Sequence, residues 1–231
     1  MPPYGENERT LSVINRFEDA VGWLVHPEET LARASHALET EDGLWVVDPL
    51  DAPGLDDLLA EYGEVAGVVV CSSWHARDAG GIATRHDVPV SIPQWIERVP
   101  ERVDAPVERI GCPIGEFECR PTTPLPSWQE AILWRERDGT LYVPESMGTA
   151  GHFLVGDERL GVSIYRRLLP PRTALADIEP ERVLVGHGEG IVEDATDELD
   201  VALRTARKRA PRAFAAHAAA AIRSLWASRR H

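Results

Sequence analysis

Val65-Ala66-Gly67-Val68-Val69-Val70-Cys71 runs straight into Ser72-Ser73-Trp74-His75-Ala76-Arg77-Asp78-Ala79-Gly80-Gly81. The first seven residues are apolar without polar alternation, the pattern of a strand covered on both faces. The polar run that follows reads as a loop at the C-terminal end of that strand, opening a helix that continues to His86. Open sheets flanked by helices gather their functional side chains at this end of their strands.

Upstream, TLSVINRF, VGWLVHP, ASHALET and GLWVVDP read as strands, with Glu41-Asp42-Gly43 as a hairpin turn between the last two. Asp48 ends the fourth strand and Pro49 stops it. Leu55, Leu58 and Leu59 share one face of a helix over residues 53–62. Downstream, 88–92 reads as a strand, and 100–126, rich in proline, glycine and charge, as irregular structure with short strands. EAILWR and LYVP form a second hairpin signal around Gly139-Thr140. Helices are expected over 159–168 and 173–178, followed by a short strand RVLV and a Gly186-His187-Gly188 turn. The chain closes with two helices, 194–209 and 212–228, separated by Pro211. This mixture suits one domain over residues 1–231, in which helices cover two packed sheets.

The 231 residues are 43% hydrophobic, enough for a sizeable core, and no run approaches the length of a membrane span. The opening MPPYGENERT lacks the basic-then-apolar order of a secretion signal, so a cytoplasmic protein is expected. Cys71, Cys112 and Cys119 are too few and scattered for a disulfide framework, and read as packed thiols. The net charge is −14, unevenly spread. The segment 201–231 has no acidic residue and eight basic ones; the other 200 residues hold all 38 acids against the 16 remaining bases. Such a body disfavours nucleic acid, and the basic segment finds its simplest partner in the protein's own acidic surface or in a homodimer contact. Lys208 is the one lysine among 24 basic residues, a composition that suggests a salt-tolerant, halophile-like source.

The order of a strand-ending Asp48, a buried strand leading to His75 and Gly80-Gly81, and a late Gly186-His187 resembles the metallo-β-lactamase superfamily. Its members are mostly metal-dependent hydrolases. The resemblance spans about residues 20–195 and implies an αββα sandwich with metals at one edge. The family motif is T-H-x-H-x-D-H-x-G-G. Ser72 stands at its threonine, Ser73 at its first histidine, Arg77 at its aspartate and Asp78 at its third histidine, while His75, Gly80 and Gly81 match. Thr123-Pro124-Leu125-Pro126 is similar to the family's T-P-G-H segment, with Pro126 at the histidine. Glu145 falls near the bridging aspartate, His187 keeps the terminal histidine and Asp48 the supporting aspartate.

Zinc needs three or four nitrogen, sulfur or carboxylate donors. The resemblance therefore implies that the three-histidine half of the site is lost. The other half would be held by Asp78, Glu145, His187 and His75, for one zinc, iron or manganese ion or for none. In the metal-free alternative the Arg77 guanidinium enters the pocket and neutralises Asp78 and Glu145. His152, where the family chain passes near the site, is a candidate acid–base group with Asp78. Trp74 and Trp128, with Arg77, are candidates to line a small-molecule pocket. Three functions remain open: a diverged hydrolase with at most one metal, acting on an ester, thioester, amide or phosphate bond; a metal-free binding protein or structural homodimer that retains the fold; and, behind both, nucleic-acid processing through the basic segment.

Overall fold

A computed structural model of the protein describes residues 9–228, with side chains described as far as residue 220. Residues 1–8, most of the segment read above for a secretion signal, and Arg229 and Arg230 of the basic segment lie outside the described residues.

Strands β1 (Ser12–Arg16), β2 (Ala20–Leu24), β3 (Ala34–Thr40) and β4 (Gly43–Val47) form an antiparallel meander. The Glu41-Asp42 turn pairs Thr40 with Gly43, whose φ of 115° needs glycine. Helices α1 (Leu55–Ala60) and α2 (Ala79–Arg85) then alternate with β5 (Val65–Val69), β6 (Val90–Pro93) and β7 (Val107–Ile110). These three strands join β4 in parallel, giving a seven-stranded sheet in sequence order.

The second sheet is built from β8 (Glu118–Leu125), β9 (Trp128–Arg135) and β10 (Thr140–Val143). A two-stranded pair, β11 (Met147–Gly148) with β12 (Gly161–Val162), follows. After α3 (Arg172–Leu175), β13 (Arg182–Val185) returns beside β10 in parallel, so the order is β13-β10-β9-β8. Helix α4 (Ala195–Ser228) closes the chain.

Side chains of the second sheet alternate between two cores, as a period of two dictates. Ala131, Leu133, Tyr142 and Leu184 point into the large core shared with the first sheet and with α1 and α2. Ile132, Trp134, Leu141, Val143, Val183 and Val185 point the other way, against Leu199, Ala202, Leu203 and Ala206 of α4. Helices thus cover both outer faces of two packed sheets, the layering of an αββα sandwich. Each buried leucine or valine contributes on the order of 1.5–3 kcal/mol. At the edge away from the strand ends described below, Arg135 and Arg182 both reach Asp19, at 2.6 and 2.7 Å, and pin the sheets together.

Three expectations need correction. Residues 159–168 form β12 and turns, not a helix. A Cβ on Gly161 would lie 2.2 Å from the Phe153 carbonyl, and the buried Arg167 ties the segment to Glu158 at 2.6 Å, so close approach overrides helical spacing. Pro211 does not separate two helices, because α4 continues through it. Alanine-rich flanks favour the helix, and the proline falls near the place where α4 leaves the core. Beyond the buried Ala210 and Ala213 the described side chains are mostly exposed. Finally, Cys112 and Cys119 are joined in a disulfide. Ile114 and Phe117 exchange both backbone hydrogen bonds at 2.9 Å, folding the chain into a tight hairpin with the cysteine Cα atoms 5.8 Å apart. Cys71 alone is free.

His36 of β3 binds across the two sheets. Its Nε2–H donates to the Val185 carbonyl at 2.9 Å, and its Nδ1 has no partner among the described residues. The ring packs edge-on against Tyr142 and covers Gly22, where a Cβ would meet Nδ1 at 2.8 Å. Burial lowers its pKa from 6.5 to about 4, outweighing the bond to Val185.

Two measurements follow from this fold. Between pH 6.5 and about 4 the unfolded chain takes up a proton that folded His36 refuses. Unfolding free energy therefore falls by roughly 3 kcal/mol as pH drops through that window, and levels off below it. His36→Gln, which keeps a donor for Val185, should flatten that slope in urea titrations; an unchanged slope would show that His36 is not its source. In denaturant without reductant the chain should show one reactive thiol, rising to three after reduction; three from the outset would contradict the Cys112–Cys119 bond.

Candidate metal centre

Four strand ends meet at one edge of the sandwich. Asp48 follows β4, the Ser72–Asp78 loop follows β5, Glu145 follows β10, and Gly186-His187 follows β13. Here the sheets are laced by Ala34 N–H to the Gly186 carbonyl at 2.9 Å, Gly188 N–H to Ala32 at 2.7 Å, and Ala131 N–H to Cys71 at 2.8 Å. Gly186 is required by space. A Cβ there would lie 2.1 Å from the Pro144 carbonyl oxygen and 2.9 Å from Cε1 of His75.

Asp48 is fully buried and organises the inner wall. Its Oδ1 accepts the Cys71 N–H at 2.7 Å; its Oδ2 accepts the Tyr142 hydroxyl at 2.6 Å and lies 2.9 Å from His75 Nδ1. Burial alone would raise its pKa, but the neighbouring His75 and Arg77 charges and these bonds hold it below the usual carboxylate range.

His75, Glu145 and His187 converge. His75 Nε2 lies 2.8 Å and His187 Nε2 3.2 Å from the same oxygen, Oε2 of Glu145. Both Nδ1 atoms face acceptors, Asp48 for His75 and the Leu31 carbonyl, at 2.9 Å, for His187. A carbonyl only accepts, so His187 Nδ1 carries a proton, and in the neutral form of the ring Nε2 is a bare lone pair. Two such lone pairs facing one carboxylate oxygen repel unless a cation, a proton or a metal ion, lies among them. One donor atom from each of the three residues lies within 4.8 Å of the others. Two imidazoles and a carboxylate, with both histidines fixed from behind, suit one zinc, iron or manganese ion. When the two rings carry a proton on Nε2, their hydrogen bonds overcome burial and hold the Glu145 pKa far below normal, His187 contributing first. The His75 pKa is raised, since Asp48 and Glu145 outweigh burial and the Arg77 charge.

Arg77 enters the pocket floor, though not as the salt bridge expected of it. Its Nη1 donates to the carbonyls of Ala34 and Asp48, and its Nη2 to that of Gly186 at 3.1 Å. Nη2 also lies 3.2 Å from His75 Nε2. Neither Asp78 nor Glu145 is hydrogen-bonded to it. Arg77 and Asp48 both adopt left-handed backbone, φ 41° and 48°, at a cost of about 1–2 kcal/mol each that the surrounding contacts must hold.

Asp78 lies outside the cluster. Its carboxylate accepts Arg9 at 2.8 Å and the Asp51 N–H at 2.9 Å, at the start of α2 and turned from the three donors. The expectation of Asp78 as ligand or catalytic group came from its place at the third histidine of the family motif; its carboxylate is taken up instead by Arg9 and the Asp51 N–H. Gly80 allows α2 to approach Val103, where a Cβ would sit at 3.2 Å, whereas Gly81 faces open space. His152 does reach the site, its ring 5.7 Å from that of His187. Its Nδ1 bonds the Thr30 carbonyl at 3.2 Å, and burial, with the His187 charge, lowers its pKa. Trp74 is 47% exposed, with the Arg98 guanidinium 5.5 Å over its ring. Trp128 is buried instead of lining a rim, because its indole N–H is drawn inward to Glu130 at 3.3 Å.

Glu130 is the residue that sequence reading missed. It is fully buried, its Oε1 accepting the N–H groups of Glu145 and Ser146, both at 2.8 Å. Its Oε2 accepts the hydroxyls of Ser146 and Thr122. It thus fixes the loop that presents Glu145. The available signal was a lone acid opening the otherwise apolar run EAILW.

The sequence matches no protein-family model and no curated protein sequence. Solved structures do match. A metallo-β-lactamase from Pontibacter korlensis superposes with a TM-score of 0.56 at 14% identity, over 84% of this chain and 99% of that one. A metallo-β-lactamase from Pseudomonas aeruginosa, solved in its mono-zinc form, gives 0.56 at 11% identity, over 88% and 97%. A flavo di-iron protein variant from Thermotoga maritima gives 0.58 at 12% identity, over 86% of this chain and 63% of that one. Together with the layering and the meeting of four strand ends, these matches establish a metallo-β-lactamase-fold protein.

Proposed function

We propose that the chain is a hydrolase-like enzyme with one divalent metal ion held by His75, Glu145 and His187. The supporting observation is the convergence of both Nε2 atoms on one Glu145 oxygen, with both Nδ1 atoms tied to acceptors. Such an ion would supply Lewis acidity and a bound water of lowered pKa, for attack on an ester, thioester, amide or phosphate bond. Around it, Asp48 and the Leu31 carbonyl keep each imidazole turned toward the centre. Glu130 keeps the Glu145 carboxylate in place. His152, whose lowered pKa favours the neutral ring at pH 7, donates Nδ1–H to Thr30 and leaves Nε2 able to hold or release a proton. A second ion of the kind the family motif serves lacks donors. Ser73 is turned to the Ser127 carbonyl at 3.2 Å, and Asp78 to Arg9.

Arg77 favours a second reading, a metal-free site in which protons bridge the histidines and Glu145. Its guanidinium, 3.2 Å from His75 Nε2, opposes an added cation. Elemental analysis after supplementation with zinc, iron and manganese separates the two. About one ion per chain is expected, with His187→Ala reducing it to a trace and Asp48→Asn weakening affinity about 10–100-fold. A folded wild-type chain that stays metal-free under all three supplements would end the metal reading.

A further inference from the structure

A second feature lies on the far side of the Glu130 network. A cavity of about 400 Å³ is lined by Arg120, Thr122, Arg166, Arg172 and Thr173, among others. Three arginines around one cavity are notable in a chain of net charge −14, where carboxylates are plentiful. Arg120 has its counter-charges, Asp177 at 2.5 Å and Glu118 at 3.3 Å. Arg172 spends its guanidinium on the Leu203 carbonyl, at 2.9 and 3.2 Å, and forms no ion pair among the described residues. Arg166 is the outlier. It is only 6% exposed, its Nε has no partner, and its guanidinium makes neither a hydrogen bond nor an ion pair among the described residues. Burial lowers its pKa, and the negative Glu130 is the one charge that opposes this.

A guanidinium whose Nε is buried without a partner is costly unless something binds it, and its planar fork suits a two-oxygen acceptor. We propose that this cavity is an oxyanion-binding site in which Arg166, flanked by Arg172 and Arg120, takes a carboxylate or phosphate group of a small-molecule ligand. Thr122 and Thr173 also line the cavity. Thr122 also donates to Glu130 at 3.3 Å, and Glu130 holds the Glu145 amide, so an occupant would sit one hydrogen bond behind the scaffold of the metal centre. The inference does not depend on whether a metal is bound there.

Thermal unfolding of the full chain tests it, with inorganic phosphate or malonate added at ionic strength held constant with sodium chloride. For a dissociation constant of about 1 mM, roughly 10 mM ligand should raise Tm by about 3 °C. A response to phosphate alone assigns a phosphate ligand, and a response to malonate alone a carboxylate ligand. Arg166→Met should abolish the shift while leaving the ligand-free Tm unchanged or higher, since it removes an unpaired buried charge. No shift in the wild type would overturn the proposal, as would an equal shift in Arg166→Met, which would place the anion elsewhere. An Arg166→Met chain that is destabilised or unfolded without ligand would also overturn it, by making Arg166 a structural counter-charge to Glu130.

Discussion

The oxygen Oε2 of Glu145 faces two imidazole nitrogens at once, and the edge of the sandwich is arranged around that contact. Each participant arrives from a different strand end: Glu145 after β10, His75 after β5, His187 after β13. None can leave its place without breaking a bond behind it. Asp48 and Leu31 hold the rings, Glu130 holds the Glu145 amide, and Gly186 lets β13 pass within contact of His75. The arrangement brings lone pairs and negative charge together in a poorly solvated space. A cation, a proton or a metal ion, relieves that repulsion, and Arg77 adds a further positive charge at the edge of the site.

Arg77 fills a place that the resemblance gives to a metal ligand. In the resemblance it stands where an aspartate would bind metal. In the structure its guanidinium satisfies three backbone carbonyls, from Ala34, Asp48 and Gly186, which belong to three separate segments of the pocket floor. Buried carbonyls without donors would each cost about 1–3 kcal/mol. The arginine is thus structural as well as electrostatic. It also weakens the field that a divalent ion would feel.

Much of this was legible in the chain. Valine-rich runs, the Glu41-Asp42-Gly43 turn and the strand-ending Asp48 mark the first sheet, because a continuous apolar run bounded by turn residues is a local signal. His75, Glu145 and His187 could be placed from the order of motifs. Asp78 could not, because its carboxylate is held by Arg9 and the Asp51 N–H, 69 and 27 positions away. Glu130 was invisible because its role lies in bonds to residues 15 and 16 positions away. The Cys112–Cys119 bond depends on a hairpin without alternation, and Arg166 draws notice only through the absence of a partner in three dimensions. Trp128 reads as a rim residue until its N–H is seen to point inward.

The central claim is that a cation other than a proton belongs between those imidazoles and Glu145. Ring-nitrogen NMR of ¹⁵N-labelled protein, before and after one equivalent of zinc, addresses it directly. The account predicts that with zinc both His75 and His187 carry a proton on Nδ1 only, their Nε2 resonances moving to metal-bound positions. Spectra in which both nitrogens of each ring stay protonated, unchanged by zinc, would contradict it and leave the site a proton-bridged relic of the fold.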